Sequence, residues 1–161
     1  MPSPLIENMI EQYHYPVVDE PSFESFIRSQ PECVLFFTEN PERFPESNDV
    51  AMILPELVKQ FGGRFSAAVV AQTAQRQLQS RYGFNEWPCL VFLRKGEYLG
   101  AICRVQDWST YLRLIDGILA VIAHDFTRHH ACGITVVTAA SSTCMAINSW
   151  AFFCVIAVVC V

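Results

Sequence analysis

Residues 33–37, Cys-Val-Leu-Phe-Phe, contain no polar side chain. A strand wetted on one face alternates apolar and polar residues, so an unbroken apolar run predicts a strand covered on both faces. Such a strand needs helices above and below its sheet, and the chain supplies them. Ser3 followed by Pro4 reads as an N-cap and a first helical residue, with Ile6, Met9, Ile10 and Tyr13 following at helical spacing. Residues 15–18 are a brief β-type run. Phe23, Phe26 and Ile27 share one side of a second short helix over 21–29, capped by Asp19 or Glu20. The polar stretch 38–49, interrupted by Pro41 and Pro45, reads as a loop. Asn48 or Asp49 then caps a helix over 50–61, kinked by Pro55 and stopped by Gly62-Gly63. A strand at 65–70, a helix at 73–82 ending at Gly83, and a strand at 89–93 follow. Lys95-Gly96 turns the chain into a returning strand at 98–103, so this pair is a hairpin. Asp107 caps a last helix with an apolar stripe from Trp108 through Tyr111, Leu112, Ile115, Ile118 and Leu119 to Ile122. Crossovers followed by a hairpin make an α/β domain, a central mixed sheet flanked by helices on both faces.

Charge and cysteine usage narrow the function. The 161 residues carry a formal net charge of −5, and nothing resembles the clustered Lys and Arg that phosphate backbones require, so nucleic acid is not an expected partner. Cys33, Cys89 and Cys103 sit in apolar runs, where free cysteine behaves as a small buried hydrophobe. The remaining cysteines, Cys132, Cys144, Cys154 and Cys160, all follow residue 130. No pair has C-x-x-C spacing and no Cys/His set has zinc-finger spacing, which together predict a reducing compartment and no disulfide framework. Residues 1–18 lack a basic segment followed by an apolar one, so no secretory signal is expected. His14, His124, His129 and His130 form no ligand set, and Gly62-Gly63 is a helix stop rather than a phosphate cradle. No metal and no cofactor is expected.

The stretch from Tyr82, YGFNEWPCLVFLRKGEYLGAICRVQDWSTYLRLIDGIL, resembles the C-terminal half of thioredoxin. It has a helix ending in Tyr-Gly, a proline opening a strand, a hairpin with glycine at its tip, and a closing helix. The resemblance implies a thioredoxin-like fold over residues 15–122, with Pro88 cis after Trp87 and Pro55 as the kinking proline. Thioredoxins carry Trp-Cys-x-x-Cys after the second strand, with a nucleophilic thiol at a helix N-terminus. Here that position reads Thr38-Glu39-Asn40-Pro41-Glu42-Arg43, with carboxylates and no thiol. Disulfide exchange by the usual motif is therefore excluded. The segments NPERFPESNDVAMILPELVKQF and RYGFNEWPCLVFLRKGEYLGAI further resemble the HyaE/HupG/HoxO family of accessory proteins of uptake nickel–iron hydrogenases. That resemblance implies a cytoplasmic, non-enzymatic maturation chaperone. Its partner would be the small-subunit precursor, whose twin-arginine signal peptide it holds back from Tat export.

Chemistry offers candidate residues for that role. Guanidinium groups favour bidentate contact with carboxylates, and Glu39, Glu42, Glu46 and Asp49 all fall in the segment replacing the redox motif. The same acids also suit a helix start, whose positive dipole end favours them. Trp87 and Pro88 are the second element. A cis proline leaves the preceding backbone groups free to pair with an extended peptide, and the indole can cover its apolar part or stack on arginine. A fold-defining turn with a packing tryptophan remains the alternative for this pair. Cys89 reads as an inert core residue. The competing functional reading is a divergent thiol-disulfide oxidoreductase using that isolated cysteine.

The chain divides at its charges, since every Asp, Glu, Lys and Arg lies at or before Arg128. Residues 1–122 read as the thioredoxin-like domain with its N-terminal helix, and 123–161 as an apolar tail that is uncharged from residue 131 onward. Residues 150–161 are continuously apolar, near the length a bilayer requires once extended back to Met145. Three readings stay open: a C-terminal anchor giving weak membrane association, a buried extra element or subunit contact, or a segment without selected structure. The abrupt break near 123–130 favours the last.

Overall fold

The structure, a computed structural model, describes residues 3–120. Ile122, the three histidines beyond it and every reading of the 123–161 tail lie outside the described residues. In chain order the elements are α1 (Pro4–Tyr13), β1 (Val17–Val18), α2 (Glu20–Ser29), β2 (Glu32–Phe37), α3 (Glu46–Gln60), β3 (Ser66–Val70), α4 (Gln72–Tyr82), β4 (Cys89–Arg94), β5 (Glu97–Cys103) and α5 (Trp108–Ala120). The five strands lie in the order β1-β3-β2-β4-β5. β3 pairs in parallel with β1 and β2, whereas β4 runs antiparallel to β2 and β5. This is the mixed sheet expected, with β2 at its centre.

Alternation along β2 sends its side chains into two separate cores. Val34 and Phe36 join Leu90, Phe92 and Val69 beneath α1, α3 and α5, where Ile6, Met9, Leu54, Leu57, Tyr111 and Ile115 close over them. Cys33, Leu35 and Phe37 join Val91 and Leu93 on the other face, covered by Phe23 and Ile27 of α2 and by Ala74 and Leu78 of α4. Phe23 and Ile27 are one helical turn apart, which places both on the buried side of α2. Gly100 lies where α5 crosses β5. A Cβ there would stand 3.0 Å from Ile118 Cγ1, so any side chain would require Ile118 to give by a few tenths of an ångström.

Local signals set most boundaries. The Ser3 hydroxyl accepts from the Ile6 amide at 3.4 Å, and Asp19 and Ser22 form a reciprocal capping box at the start of α2. Gly83 ends α4 in the left-handed conformation, and Trp87-Pro88 is a cis peptide. One start was misplaced: α3 begins at Glu46, not after Asn48 or Asp49. Pro45 already has helical backbone angles (φ −60°, ψ −25°), because its ring pre-sets φ for a first turn. Asn48 instead takes a hydrogen bond from Ser3 through its side-chain oxygen, tying α3 to the start of α1.

The cysteine expectation is also corrected. Cys89 and Cys103 form a disulfide across β4 and β5, so Cys89 is neither isolated nor a free core thiol, and the inference of a reducing compartment loses its basis. Their sequence separation of 14 hides the contact, which only the hairpin register creates. Cys33 is free and buried, and burial pushes its thiol pKa up to about 12. No helix among the described residues is long and apolar enough to cross a membrane.

At the opposite end of the sheet from Phe37, Glu32 accepts from Arg94 Nη2 at 2.7 Å and from Arg64 Nε at 2.9 Å. Both guanidinium groups also donate to the Leu119 carbonyl near the end of α5, at 2.6 and 3.0 Å. The carboxylate thus holds two cations against a helix C-terminus that favours them. Replacing Glu32 with Gln is expected to lower stability by about 1–3 kcal/mol, the range for a disrupted, largely buried charged hydrogen bond. A urea midpoint within error of the parent protein would contradict this assignment.

Candidate functional site

Phe37, Cys89 and Cys103 face one another in a single row across β2, β4 and β5. The next residues outward, Thr38, Pro88 and Arg104, therefore share one edge of the sheet. This is where the loop replacing the redox motif leaves β2. A buried polar knot pins that loop. Gln75 of α4, only 1% exposed, accepts from the Glu39 amide at 2.5 Å and donates to Thr38 Oγ1 at 3.0 Å and to the Val70 carbonyl at 2.9 Å. The fully buried Ser47 hydroxyl donates to the Thr38 carbonyl at 2.6 Å from the first turn of α3. With every partner satisfied, the knot fixes the chain's exit from β2.

An open groove of about 410 Å³ lies beside this edge. Arg43, Phe44, Pro45 and Glu46 form one wall, Asn85, Glu86 and Trp87 the other, and Arg104 lies between β5 and α5. Pro88 is buried next to Trp87 at the edge row. The indole of Trp87 packs edge-on against Phe84, with ring centroids 5.2 Å apart, and tilted against Phe37 at 6.3 Å. Among the described residues neither the amide nor the carbonyl of Trp87 has a hydrogen-bond partner. The Pro88 carbonyl, by contrast, accepts from the Arg104 amide at 2.7 Å. Arg104 has φ +62°, unusual for a side-chain-bearing residue, and its guanidinium meets Glu86 at 3.5 Å. Arg43 lies over the Phe44 ring, 5.7 Å from its centroid.

The six sequence candidates separate. Glu46 and Trp87 line the groove and Pro88 adjoins it. Glu42 and Asp49 are exposed nearby but do not line it. Glu39 is turned away: its backbone is left-handed (φ +52°), and its carboxylate meets Arg76 of α4 at 3.3 Å with the side chain only 12% exposed. Sequence reasoning missed Arg43, Phe44, Asn85, Glu86 and Arg104. Glu86 sits beside Trp87 and was within reach of inspection, but Arg104 arrives through strand register alone. The lining is thus balanced, with Glu46 and Glu86 against Arg43 and Arg104, rather than purely acidic.

Asp107 starts α5 three residues beyond Arg104. Its carboxylate accepts from Ser109 Oγ at 2.5 Å and from the Thr110 amide at 3.0 Å, and these bonds hold its pKa well below the usual range. A depressed folded pKa means stability that is present above the unfolded value, about 3.9, and lost as pH falls below it. Asp107→Asn, which cannot titrate, is expected to flatten the loss of stability between pH 5 and pH 2 (roughly the acid range of such linkage). Parallel urea titrations of both proteins across that range check it; identical slopes would refute the linkage.

A family model described as Hydrogenase-1 expression protein HyaE matches residues 5–111. The hydrogenase expression/formation protein HoxO of Azotobacter vinelandii is 46% identical over 125 residues, covering 78% of this chain and 84% of that protein. HupG of Rhizobium leguminosarum bv. viciae, also a hydrogenase expression/formation protein, is 38% identical over 124 residues, covering 74% and 83%. In fold, Plasmodium falciparum thioredoxin superposes with a TM-score of 0.54 at 16% identity, over 63% of this chain and 96% of that one. The architecture is thioredoxin-like, and the chain belongs to the HyaE family of hydrogenase expression proteins.

Proposed function

We propose that this protein is a non-catalytic factor in hydrogenase maturation, whose groove holds the twin-arginine signal peptide of a small-subunit precursor in the cytoplasm before Tat export. The observation that carries the reading is the backbone of Trp87, unpaired among the described residues, beside cis-Pro88 and across an open groove from Glu46. An extended peptide pairs with the Trp87 amide and carbonyl as a short added strand. Its first guanidinium takes Glu46 in a bidentate contact. The second takes Glu86, displacing Arg104. That exchange is inexpensive, because the Glu86–Arg104 pair is exposed on both sides (56% and 64%) and such pairs contribute about 0–1 kcal/mol. Phe44 and Trp87 then offer apolar surface to the residues following the arginines. Glu42 and Asp49 add favourable potential at the rim without touching the peptide.

No thiol chemistry is assigned to the groove, and an oxidoreductase working through an isolated Cys89 loses its premise because Cys89 is bonded to Cys103. Calorimetric titration of the full chain with a twin-arginine signal peptide tests the proposal. Replacing both arginines of the peptide with lysine is expected to weaken binding at least tenfold, since lysine lacks the planar fork. Glu46→Gln is expected to weaken it by roughly fivefold or more, the scale of a charged contact at an interface. Glu39→Gln is expected to leave affinity within about twofold, because its carboxylate is turned away from the groove onto Arg76. Equal affinity for the Arg-Arg and Lys-Lys peptides, or no binding of either, would sink the reading.

A further inference from the structure

The Cys89–Cys103 disulfide has no part in the function proposed above, yet each half of it adjoins a groove element. Cys89 directly follows Pro88, and Cys103 directly precedes Arg104. The Pro88 carbonyl to Arg104 amide bond makes the cysteines a non-hydrogen-bonded antiparallel pair, with Cα atoms 4.1 Å apart. Cys89 is only 1% exposed, packed in the core that also takes Phe37 and Trp87, whereas Cys103 is partly exposed. We infer that the Cys89–Cys103 pair is a reversible redox site that sets the position of Arg104 relative to the Trp87–Pro88 wall, and through it the groove's affinity. The affinity half of this inference rests on the peptide-binding reading.

The reductant is a dithiol. One of its thiolates attacks the Sγ of the partly exposed Cys103, and the S–S bond breaks with its electron pair on Cys89 Sγ, which takes up a proton. The second thiol of the reductant resolves the mixed disulfide, releasing Cys103 as a thiol. The protein gains two electrons and two protons, and the dithiol becomes a disulfide. Strand pairing, rather than the S–S bond, brings the two Cα atoms together, so the reduced thiols remain opposed at high effective concentration and can reoxidise. They cannot stay at bonding distance. Non-bonded heavy atoms settle about 3.5–4 Å apart, so the sulfurs must separate. Close packing holds Cys89, and the displacement falls on Cys103 and Arg104. The Arg104 side chain resists little, because the ion pair it makes with Glu86 is exposed on both sides.

The test equilibrates the full chain across a series of reduced-to-oxidised glutathione ratios, with dithiothreitol as the reducing limit. Alkylation and peptide mapping read Cys89 and Cys103 separately from the other five cysteines. Amide chemical shifts of Glu86, Trp87 and Arg104 are followed alongside. The expected result is a single two-electron transition of Cys89 and Cys103, with the groove amides shifting at the same midpoint. The oxidised form should bind the twin-arginine peptide roughly tenfold more tightly, a typical coupling between linked sites. Cys103→Ser should bind like the reduced form at every ratio. A pair that dithiothreitol leaves intact in the folded protein, or groove amides that stay fixed when it is reduced, would overturn the redox site. An affinity that still follows the glutathione ratio in Cys103→Ser would overturn its link to the groove. If neither redox form binds peptide, the binding reading fails, while the shared midpoint and the amide shifts still decide the redox site.

Discussion

Burying a strand on both faces leaves its backbone only neighbouring strands to bond and its side chains only helices to touch. β2 is that strand here, and the other elements answer its two demands. β3 and β4 satisfy its backbone from either side, one parallel and one antiparallel. The helices divide between its faces according to which side chains it sends them. Because the register is fixed, the position at which β2 ends is fixed as well. Whatever follows Phe37 must emerge at the same edge as the residue before Cys89 and the residue after Cys103. The groove is a consequence of strand alignment before it is a consequence of any one side chain.

What could be read beforehand divides along the same line. Apolar periodicity and capping residues are local properties, so the strands, the helices and the caps at Ser3, Asp19 and Asp107 were visible in order. The thioredoxin-like architecture and the cis bond at Pro88 came from resemblance to a known pattern of residues, and both are present. The start of α3 was misread because Pro41 and Pro45 look like loop residues, although a proline can equally open a helix. Cross-strand partners were not legible. Cys103 opposite Cys89, Arg104 beside Glu86 and Glu39 folded back onto Arg76 all depend on register or on a left-handed residue, and no spacing rule reports either.

The electrostatics of the groove differ from the simple picture of an acidic patch awaiting a basic ligand. Two carboxylates and two guanidinium groups line it, so its bare form is close to neutral. On the proposed reading, a guanidinium arriving at Glu86 then works by exchange of partners with Arg104 rather than by neutralising a stored negative field. Exchange favours geometry over charge count, because the incoming group must outdo an arginine already in place. A planar guanidinium meets that requirement better than a rounded ammonium.

Arg104 shows where the molecule gives up stability. Its backbone occupies the left-handed region, which for a residue bearing a side chain costs roughly 1–2 kcal/mol relative to a conformation glycine adopts freely. Glycine at this position would relax the corner between β5 and α5 while keeping the amide bond to Pro88. It would also empty the groove of one of its two cations and leave Glu86 without its counter-charge. The two effects run in opposite directions, one making the resting fold more secure and the other changing what the groove can discriminate. If the groove binds as proposed, a strained corner carrying a charged side chain is a compromise between durability and selectivity.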